Sequence, residues 1–558
     1  MNISQELAYY ISEALQFYGI QDIVISPGSR NAPLVNQFIR SQKFNCSSCT
    51  DERSAGFKAL GIALATNKPV ALTCTSGTAL LNYAPAICEA YYQGVPIVVI
   101  SADRPSEWID QGDGQTIRQI NALGSYVAKS IQLNPAKTED ARWLIKRSLG
   151  EVFCCPEFAE QKRPIHINCS FEEPLYGDGN RDEKIRFREV LNTHSIDETK
   201  LAELTNNLNN ASKVLWIVGQ LDEQSGKEVS TYLSKVKSFA QHLIISETTS
   251  NLISACDSPC IDRSIVGIED NFEEFQPEYL IHLGGAIVSK KIKHLLRSNK
   301  DKYTIRIHNT GYDEDTFKGL NLGLNGQVSK TLSGITEKLQ DNPKSEYRKL
   351  WTRQIASSVE LHHKYLNSAP YSDFKVFELL SKNLPENYKV FWGNSSVIRY
   401  AQLFTYQASN KHLANRGTSG IEGLNSTANG YASSCSDPLL LVTGDVSFFY
   451  DINGLENATE NLKILLINNG GGNIFRIING PDSMEQFETF LETHHNKNAA
   501  LLSKHFGFEY MDCDKQENLE SCLTNFFKSS NKTVLEVFTP RLDNPEILKA
   551  YFRSLKQQ

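Results

Sequence analysis

Two apolar runs, each closed by a polar turn, constrain this chain more than any other feature: LLLVTGDVSFFYDINGL at residues 439–455 and LKILLINNGGGNIF at 462–475. The runs 439–442 and 464–467 are short and uninterrupted, as in parallel strands buried on both faces. Ligands of open α/β sheets collect at the carboxyl edge, where Asp445 and Asn469 would emerge together. The Asp445 carboxylate, the Asn469 amide oxygen and a backbone carbonyl near Gly471 would supply hard oxygens to magnesium, which takes its remaining ligands from phosphate and water. Glycines beside them let the backbone approach the phosphates. An ordinary strand-to-helix turn is the competing reading.

A chain of 558 residues is too long for one core, and about 150 residues per domain predicts three or four domains. Strand candidates alternate with helical patterns in three sets. The first is 23–26, 44–48, 70–75, 97–101 and 165–169; the second is 214–218, 243–246, 280–283 and 303–307; the third is 389–392, 439–442, 464–467 and 533–537. A polar linker covers roughly 174–200, and a mixed helical segment covers 340–368. The pattern predicts an α/β chain of three doubly wound domains with mainly parallel sheets, at 1–178, 195–340 and 365–558.

Net charge is −7, with no long basic run and no clustering of basic with aromatic residues, so nothing favours nucleic acid as a partner. Apolar runs such as VPIVVI at 95–100 have strand length and cannot span a bilayer. The opening MNISQELAYYISEALQFYG lacks a basic start and a hydrophobic signal core, and suits an amphipathic helix, so a cytoplasmic location is expected. The 12 cysteines do not read as a disulfide framework, because several lie in apolar strand or helix patterns. Cys46-Ser-Ser-Cys49 has redox or zinc spacing but no second pair, and Glu492-Thr-His494-His495 lacks the spacing of a zinc helix and reads as a solvated face.

The paired turns resemble the thiamine-diphosphate fingerprint, Gly-Asp-Gly followed after a longer interval by Asn-Asn. Here Val446 replaces the second glycine, and only 21 residues (447–467) precede Asn468. A stricter match, Gly177-Asp178-Gly179 with Asn206-Asn207, is rejected because a charged linker surrounds Asp178 and a polar helical pattern surrounds Asn207. A third Gly-Asp-Gly, at 112–114, has no Asn-Asn at a useful distance. The resemblance implies a thiamine-diphosphate-binding fold and a role for Glu52. Asp51 is a good N-cap for the small, apolar helix that follows, and Glu52 suits the helix dipole. In thiamine enzymes a buried glutamate hydrogen-bonds N1′ of the aminopyrimidine and favours the 4′-imino tautomer, and burial raises a carboxyl pKa in support of that exchange.

The segments ISPGSRNAPL (25–34), TDERSAGFKALGIAL (50–64), TSGTALLNYAPAICEAYYQGVPIVVISADRP (75–105), GQTIRQ (114–119), GNSSVIR (393–399) and NRGTSGIEG (415–423) are similar to the 2-succinyl-5-enolpyruvyl-6-hydroxy-3-cyclohexene-1-carboxylate synthases of menaquinone biosynthesis. The resemblance implies decarboxylation of 2-oxoglutarate on thiamine diphosphate and Stetter-like 1,4-addition of the succinyl unit to isochorismate. Both substrates are dianions, and arginine suits bidentate carboxylate recognition. It therefore implies Arg30, Arg104, Arg399 and Arg416 as carboxylate binders, with Ser29 and Gln115 as hydrogen-bonding partners and Ser29, Arg30 and Gln115 close to the chemistry. Lys290 and Lys291 would lie on the isochorismate side. Asn394 and Ser395 would donate to the diphosphate from a helix start. Ile421 would bend the cofactor, Ile474 and Phe475 would line the substrate pocket, and Asp445, Asn469 and Gly471 would hold Mg2+ or Mn2+. A homodimer, or a dimer of dimers, is implied, since in this superfamily the glutamate-bearing domain of one subunit faces the diphosphate-binding domain of another.

Overall fold

The structure is a computed structural model and describes residues 2–176, 185–188, 198–299, 301–309, 314–478, 480–481 and 484–556. The rejected Gly177-Asp178-Gly179 lies outside the described residues. Asn206-Asn207 lies in the helix Glu198–Asn210, as its polar pattern predicts.

The chain forms two compact units. One comprises Met1–Thr193, Gly417–Ser436 and Tyr450–Thr459; the other comprises His194–Arg416, Asp437–Phe449 and Glu460–Gln558. The first unit holds strands β1 (Asp22–Ile25), β2 (Asn45–Ser48), β3 (Val70–Cys74), β4 (Ile97–Asp103), β5 (Ser130–Leu133) and β6 (Ile165–Ser170), in the order β2-β1-β3-β4-β6-β5. The second unit holds two sheets. One contains β7 (Val214–Val218), β8 (His242–Ser246), β9 (Tyr279–Leu283), β10 (Tyr303–His308) and β11 (Leu320–Asn325), in the order β11-β10-β9-β7-β8. The other contains β12 (Lys389–Trp392), β13 (Lys411–Leu413), β14 (Leu439–Gly444), β15 (Leu462–Asn468), β16 (Glu509–Cys513) and β17 (Thr533–Phe538), in the order β13-β12-β14-β15-β17-β16. Strand pairing is parallel in all three sheets. The chain is thus an α/β protein with helices connecting parallel strands.

Every expected strand is present. β5, β11, β13 and β16 were not expected from the sequence, and each is an edge strand. The central β14 and β15 are paired from Leu439↔Leu462 to Gly444↔Ile467, which brings the two polar turns out side by side. Among the described residues no helix is long and apolar enough to cross a membrane. All 12 cysteines are free thiols, and Cys46 and Cys49 lie on and just after β2.

Within the first unit, the helix Glu52–Thr66 is buried from Ser54 to Ala63 and packs against the helix Leu424–Ala432. Glycines allow the close approach. A Cβ at Gly61 would overlap the Thr427 carbonyl, and one at Gly430 would overlap the Lys58 carbonyl. Because backbone atoms stand in the way, Gly61→Ala is expected to destabilise by ~1–3 kcal/mol, read as a lower thermal midpoint. An unchanged midpoint would show that the two helices separate without cost.

Candidate active site

In the first unit, five expected site residues collect around the carboxyl ends of β1, β2 and β4. Asp51 accepts from the Arg53 and Ser54 amides and caps the helix that Glu52 begins. Glu52 Oε2 accepts from Asn82 Nδ2 at 3.1 Å. Glu52 is half-buried rather than buried, because it stands at the sheet's edge while the helix behind it runs into the core. Arg30 is buried, and its Nη1 donates to the Phe171 carbonyl. Burial and the neighbouring Arg104 charge make the Arg30 guanidinium less basic than usual. Carboxylates offset part of this repulsion: Glu173 lies 3.6 Å from Arg30 and Asp113 lies 3.9 Å from Arg104. The Arg104 amide donates to Asp103, its Nη2 donates to the Gly114 carbonyl, and its Nε is buried with no partner among the described residues.

Ser29 is exposed in the turn before Arg30, and the Arg30 amide donates to Thr75 Oγ1. Gln115 is exposed at φ 53°, against Gly77. A non-glycine residue rarely adopts that backbone, so the Gln115 turn is specified by its surroundings. Part of the specification is Gln119, which is fully buried. It accepts from the Gly77 amide and donates to the Ala102 carbonyl and Asn168. Ile421 belongs to the same unit, two residues before Gly423, which packs on Phe57 of the glutamate helix. Glu89 fixes the approach to Ile421: its buried carboxylate accepts from the amides of Gly417 and Thr418 and from the Thr418 hydroxyl, at 2.6–2.7 Å.

In the second unit, Asp445 is 2 % exposed and Asn469 is 6 % exposed. Asp445 Oδ1 accepts from the Val446 amide at 2.6 Å, and Oδ2 accepts from the amides of Gly470 and Gly471 at 2.8 and 2.9 Å. Positive φ angles of 79° and 149° at those glycines aim both amides at the carboxylate. Burial still dominates and pushes the Asp445 carboxyl up to about 7. Asn469 donates through Nδ2 to Asp373 at 3.0 Å, leaving Oδ1 buried with no partner among the described residues. A buried carboxylate short of charge compensation and an unused buried amide oxygen, on adjacent strand ends, fit a hard divalent cation. Among the described residues no group of three His, Cys, Asp or Glu side chains could hold a metal, so a cation here would depend on the single Asp445 carboxylate together with amide, carbonyl and phosphate oxygens.

The segment Glu492–His495 is a solvated face only at Thr493 and His494. Glu492 is completely buried, accepting a two-pronged pair from Arg476 and a further bond from Arg541. Its backbone carbonyl accepts from Gly472, and the His495 amide donates to the Gly470 carbonyl, so this segment braces the glycine turn. His495 Nε2 is 3.5 Å from Asp445 Oδ2. Ile474 and Phe475 begin the short helix Ile474–Ile477 beyond that turn, both half-buried.

Asn394 and Arg416 are brought together. Asn394 Oδ1 accepts from Arg416 Nη1 at 2.8 Å, while its Nδ2 donates to the Asn415 carbonyl. Ser395 opens the helix Ser396–Ala401 at φ 67°, ψ −122°, a strained backbone for serine, and Arg399 of that helix has a buried Nε with no partner. Lys290 and Lys291 begin the helix Lys290–Ser298, capped by Ser289. Lys290 is exposed, whereas the Lys291 ammonium sits 3.6 Å from the Phe552 ring centroid. Sequence reasoning missed Glu247 behind this helix. It is buried, accepts from the amides of Val288 and Ser289 at 2.8–2.9 Å, and is pushed up to about 7 by burial. Its place immediately after the apolar β8 was the available signal.

Residues 5–122 match the family model described as thiamine pyrophosphate enzyme, N-terminal TPP binding domain, and residues 393–537 match its C-terminal TPP binding domain. A curated 2-succinyl-5-enolpyruvyl-6-hydroxy-3-cyclohexene-1-carboxylate synthase from Flavobacterium johnsoniae is 40% identical, covering 98% of this chain and 99% of that protein. Synthases of the same name from Porphyromonas gingivalis and Flavobacterium psychrophilum are 36% and 40% identical, covering 97% and 98% of this chain and 96% and 98% of theirs. The chain belongs to the 2-succinyl-5-enolpyruvyl-6-hydroxy-3-cyclohexene-1-carboxylate synthase family of thiamine pyrophosphate enzymes.

Proposed function

We propose that the protein decarboxylates 2-oxoglutarate and adds the succinyl unit to isochorismate by 1,4-addition, giving 2-succinyl-5-enolpyruvyl-6-hydroxy-3-cyclohexene-1-carboxylate for menaquinone biosynthesis. The observation that carries the reading is the pairing of Asp445, bound to three backbone amides, with an unused, buried Asn469 Oδ1. Bound thiamine diphosphate would supply an acidic C–H and an electron sink for decarboxylation. Asp445, Asn469 and the Gly471 carbonyl would hold Mg2+, with Mn2+ as a substitute, and Asn394 and Ser395 would contact the diphosphate. Glu52 would hold a proton at N1′ of the aminopyrimidine, and Ile421 would set the cofactor's bend.

Arg30, Arg104, Arg399 and Arg416 would bind substrate carboxylates, assisted by Ser29 and Gln115 and by Lys290 and Lys291. The buried Arg30, made less basic by burial and by the neighbouring Arg104 charge, supports this reading, since a cation held away from water beside another favours an anionic ligand. Ile474 and Phe475 would exclude water beside the metal turn. The segments 1–178, 195–340 and 365–558 would act as pyrimidine-binding, central and diphosphate-binding domains. The protein would work in the cytoplasm as a homodimer, and a fully active monomer in sedimentation would remove that part of the reading.

The test is product detection by mass spectrometry after incubation with thiamine diphosphate, Mg2+, 2-oxoglutarate and isochorismate, with each omitted in turn. Product that requires all four is the expected result. Carbon dioxide release with isochorismate left intact would overturn the acceptor, and turnover of pyruvate in preference to 2-oxoglutarate would overturn the donor.

A further inference from the structure

Resting on the metal-site reading above, we infer that Asp373 is a positioning residue: its carboxylate holds the Asn469 side-chain amide with Oδ1 turned to the metal position. An asparagine ligates through oxygen only, yet its two ends are similar in size and interchange by rotation about one bond. Something must select the orientation. In this protein Asn469 Nδ2 donates to Asp373 Oδ2 at 3.0 Å, and Asn469 Oδ1 is buried without a partner. A rotated amide would set its oxygen against the Asp373 carboxylate and leave an NH2 where a cation is to be bound, so both ends disfavour it.

The selector is itself fixed. Asp373 is 1 % exposed at the start of the helix Asp373–Asn383, which Ser372 caps. Its Oδ1 accepts from Thr539 Oγ1 at 2.6 Å and from Asn544 Nδ2 at 3.0 Å, and its backbone amide donates to Asn544 Oδ1 at 2.8 Å. The Thr539 amide in turn donates to the Asn468 carbonyl, tying the end of β17 to the end of β15 that carries Asn469. All the hydrogen-bond partners of this carboxylate are donors, and only one of them, Asn469, has its opposite end unused. Outer partners that orient a metal ligand typically change metal affinity by about 10- to 100-fold when removed.

The experiment measures Mn2+ affinity in the presence of thiamine diphosphate by electron paramagnetic resonance, with the thermal midpoint of each variant. Asp373→Asn presents an amide to Asn469 and allows either orientation. It is expected to weaken Mn2+ by about 10- to 100-fold while the midpoint stays near that of the unaltered protein. The exchanged pair Asp373→Asn with Asn469→Asp restores a donor facing an acceptor, now with the acid on the ligand side, and is expected to return affinity to within about 3-fold. A purely structural Asp373 would not be rescued in this way. A folded Asp373→Asn protein that binds Mn2+ normally, or an exchanged pair as weak as the single variant, overturns the inference.

If Asp373→Asn does not fold, Thr539→Val decides the matter. Removing the hydroxyl loosens Asp373 Oδ1, so weaker Mn2+ binding supports the inference and unchanged binding overturns it. Unaltered protein that binds no Mn2+ with thiamine diphosphate would overturn the metal-site reading itself. Normal Mn2+ binding that is lost in Asp445→Ala but intact in Asp373→Asn would overturn only the role of Asp373.

Discussion

Asp445→Ala is expected to lose divalent-cation binding by about 100-fold or more, and thiamine diphosphate retention with it, because it removes the one anionic side chain proposed for the cation. The variant also strips three amides, of Val446, Gly470 and Gly471, of their shared acceptor. Each buried, unpaired N–H costs ~1–3 kcal/mol, although loss of a buried carboxylate offsets part of this. Asp445→Asn is the milder control, since its amide oxygen can still accept from the glycine turn. Calorimetric titration of Mg2+ into protein with thiamine diphosphate reads the effect directly. Normal affinity in both variants would remove Asp445 from the site.

The same carboxyl makes cation binding depend on pH. In the folded, cation-free protein burial pushes this carboxyl up to about 7, from an ordinary 3.8. A group raised in the fold contributes stability that is complete below about pH 4 and is lost as pH rises through about 7. Cation-free protein should therefore lose stability across that window. The cation requires the deprotonated form, so its apparent affinity should rise about 10-fold per pH unit below 7 and level off above it. Flat affinity from pH 5 to 8 would mean that Asp445 is already ionised without the cation.

What the sequence made legible follows from burial. β14 and β15 each carry an uninterrupted apolar run, 439–442 and 464–467, because both faces are covered, so the strands, their adjacency and the two turns could be read from 439–475 alone. The four unexpected strands lie at edges. β11, LNLGLN, alternates between half-buried and exposed positions, and β16, EYMDC, is mostly uncovered, so neither carries a continuous apolar run. Long-range supports left no local trace either. Glu89 sits in APAICEAYYQ with nothing nearby to announce its bonds to Gly417 and Thr418, whose positions differ from it by 328 and 329. Asp373 and Asn469 are 96 positions apart. Glu492 read as a surface residue because its arginines, Arg476 and Arg541, stand 16 and 49 positions away. The residues proposed to touch ligand were visible as motifs, whereas the carboxylates that brace them depend on contacts that only folding creates.

Glu52→Gln should separate catalysis from binding. The substitution keeps size and shape, and the helix that carries the residue is fixed by other means: Asp51 caps it, and its small apolar face is locked against the helix Leu424–Ala432. Glutamine can still accept from Asn82 through its amide oxygen, so the side chain has reason to stay in place. It cannot, however, exchange a proton with a ring nitrogen. Loss of a positioned proton-transfer group typically lowers turnover by about 100- to 10,000-fold, and that is the fall in kcat expected here. Cofactor affinity and thermal midpoint should remain close to those of the unaltered protein, because the carboxylate proposed to bind the cation is Asp445. The opposite profile, with kcat retained and cofactor affinity lost, would make Glu52 a binding residue. Retention of both would return it to the part its position alone supports, a carboxylate that favours the positive end of a helix.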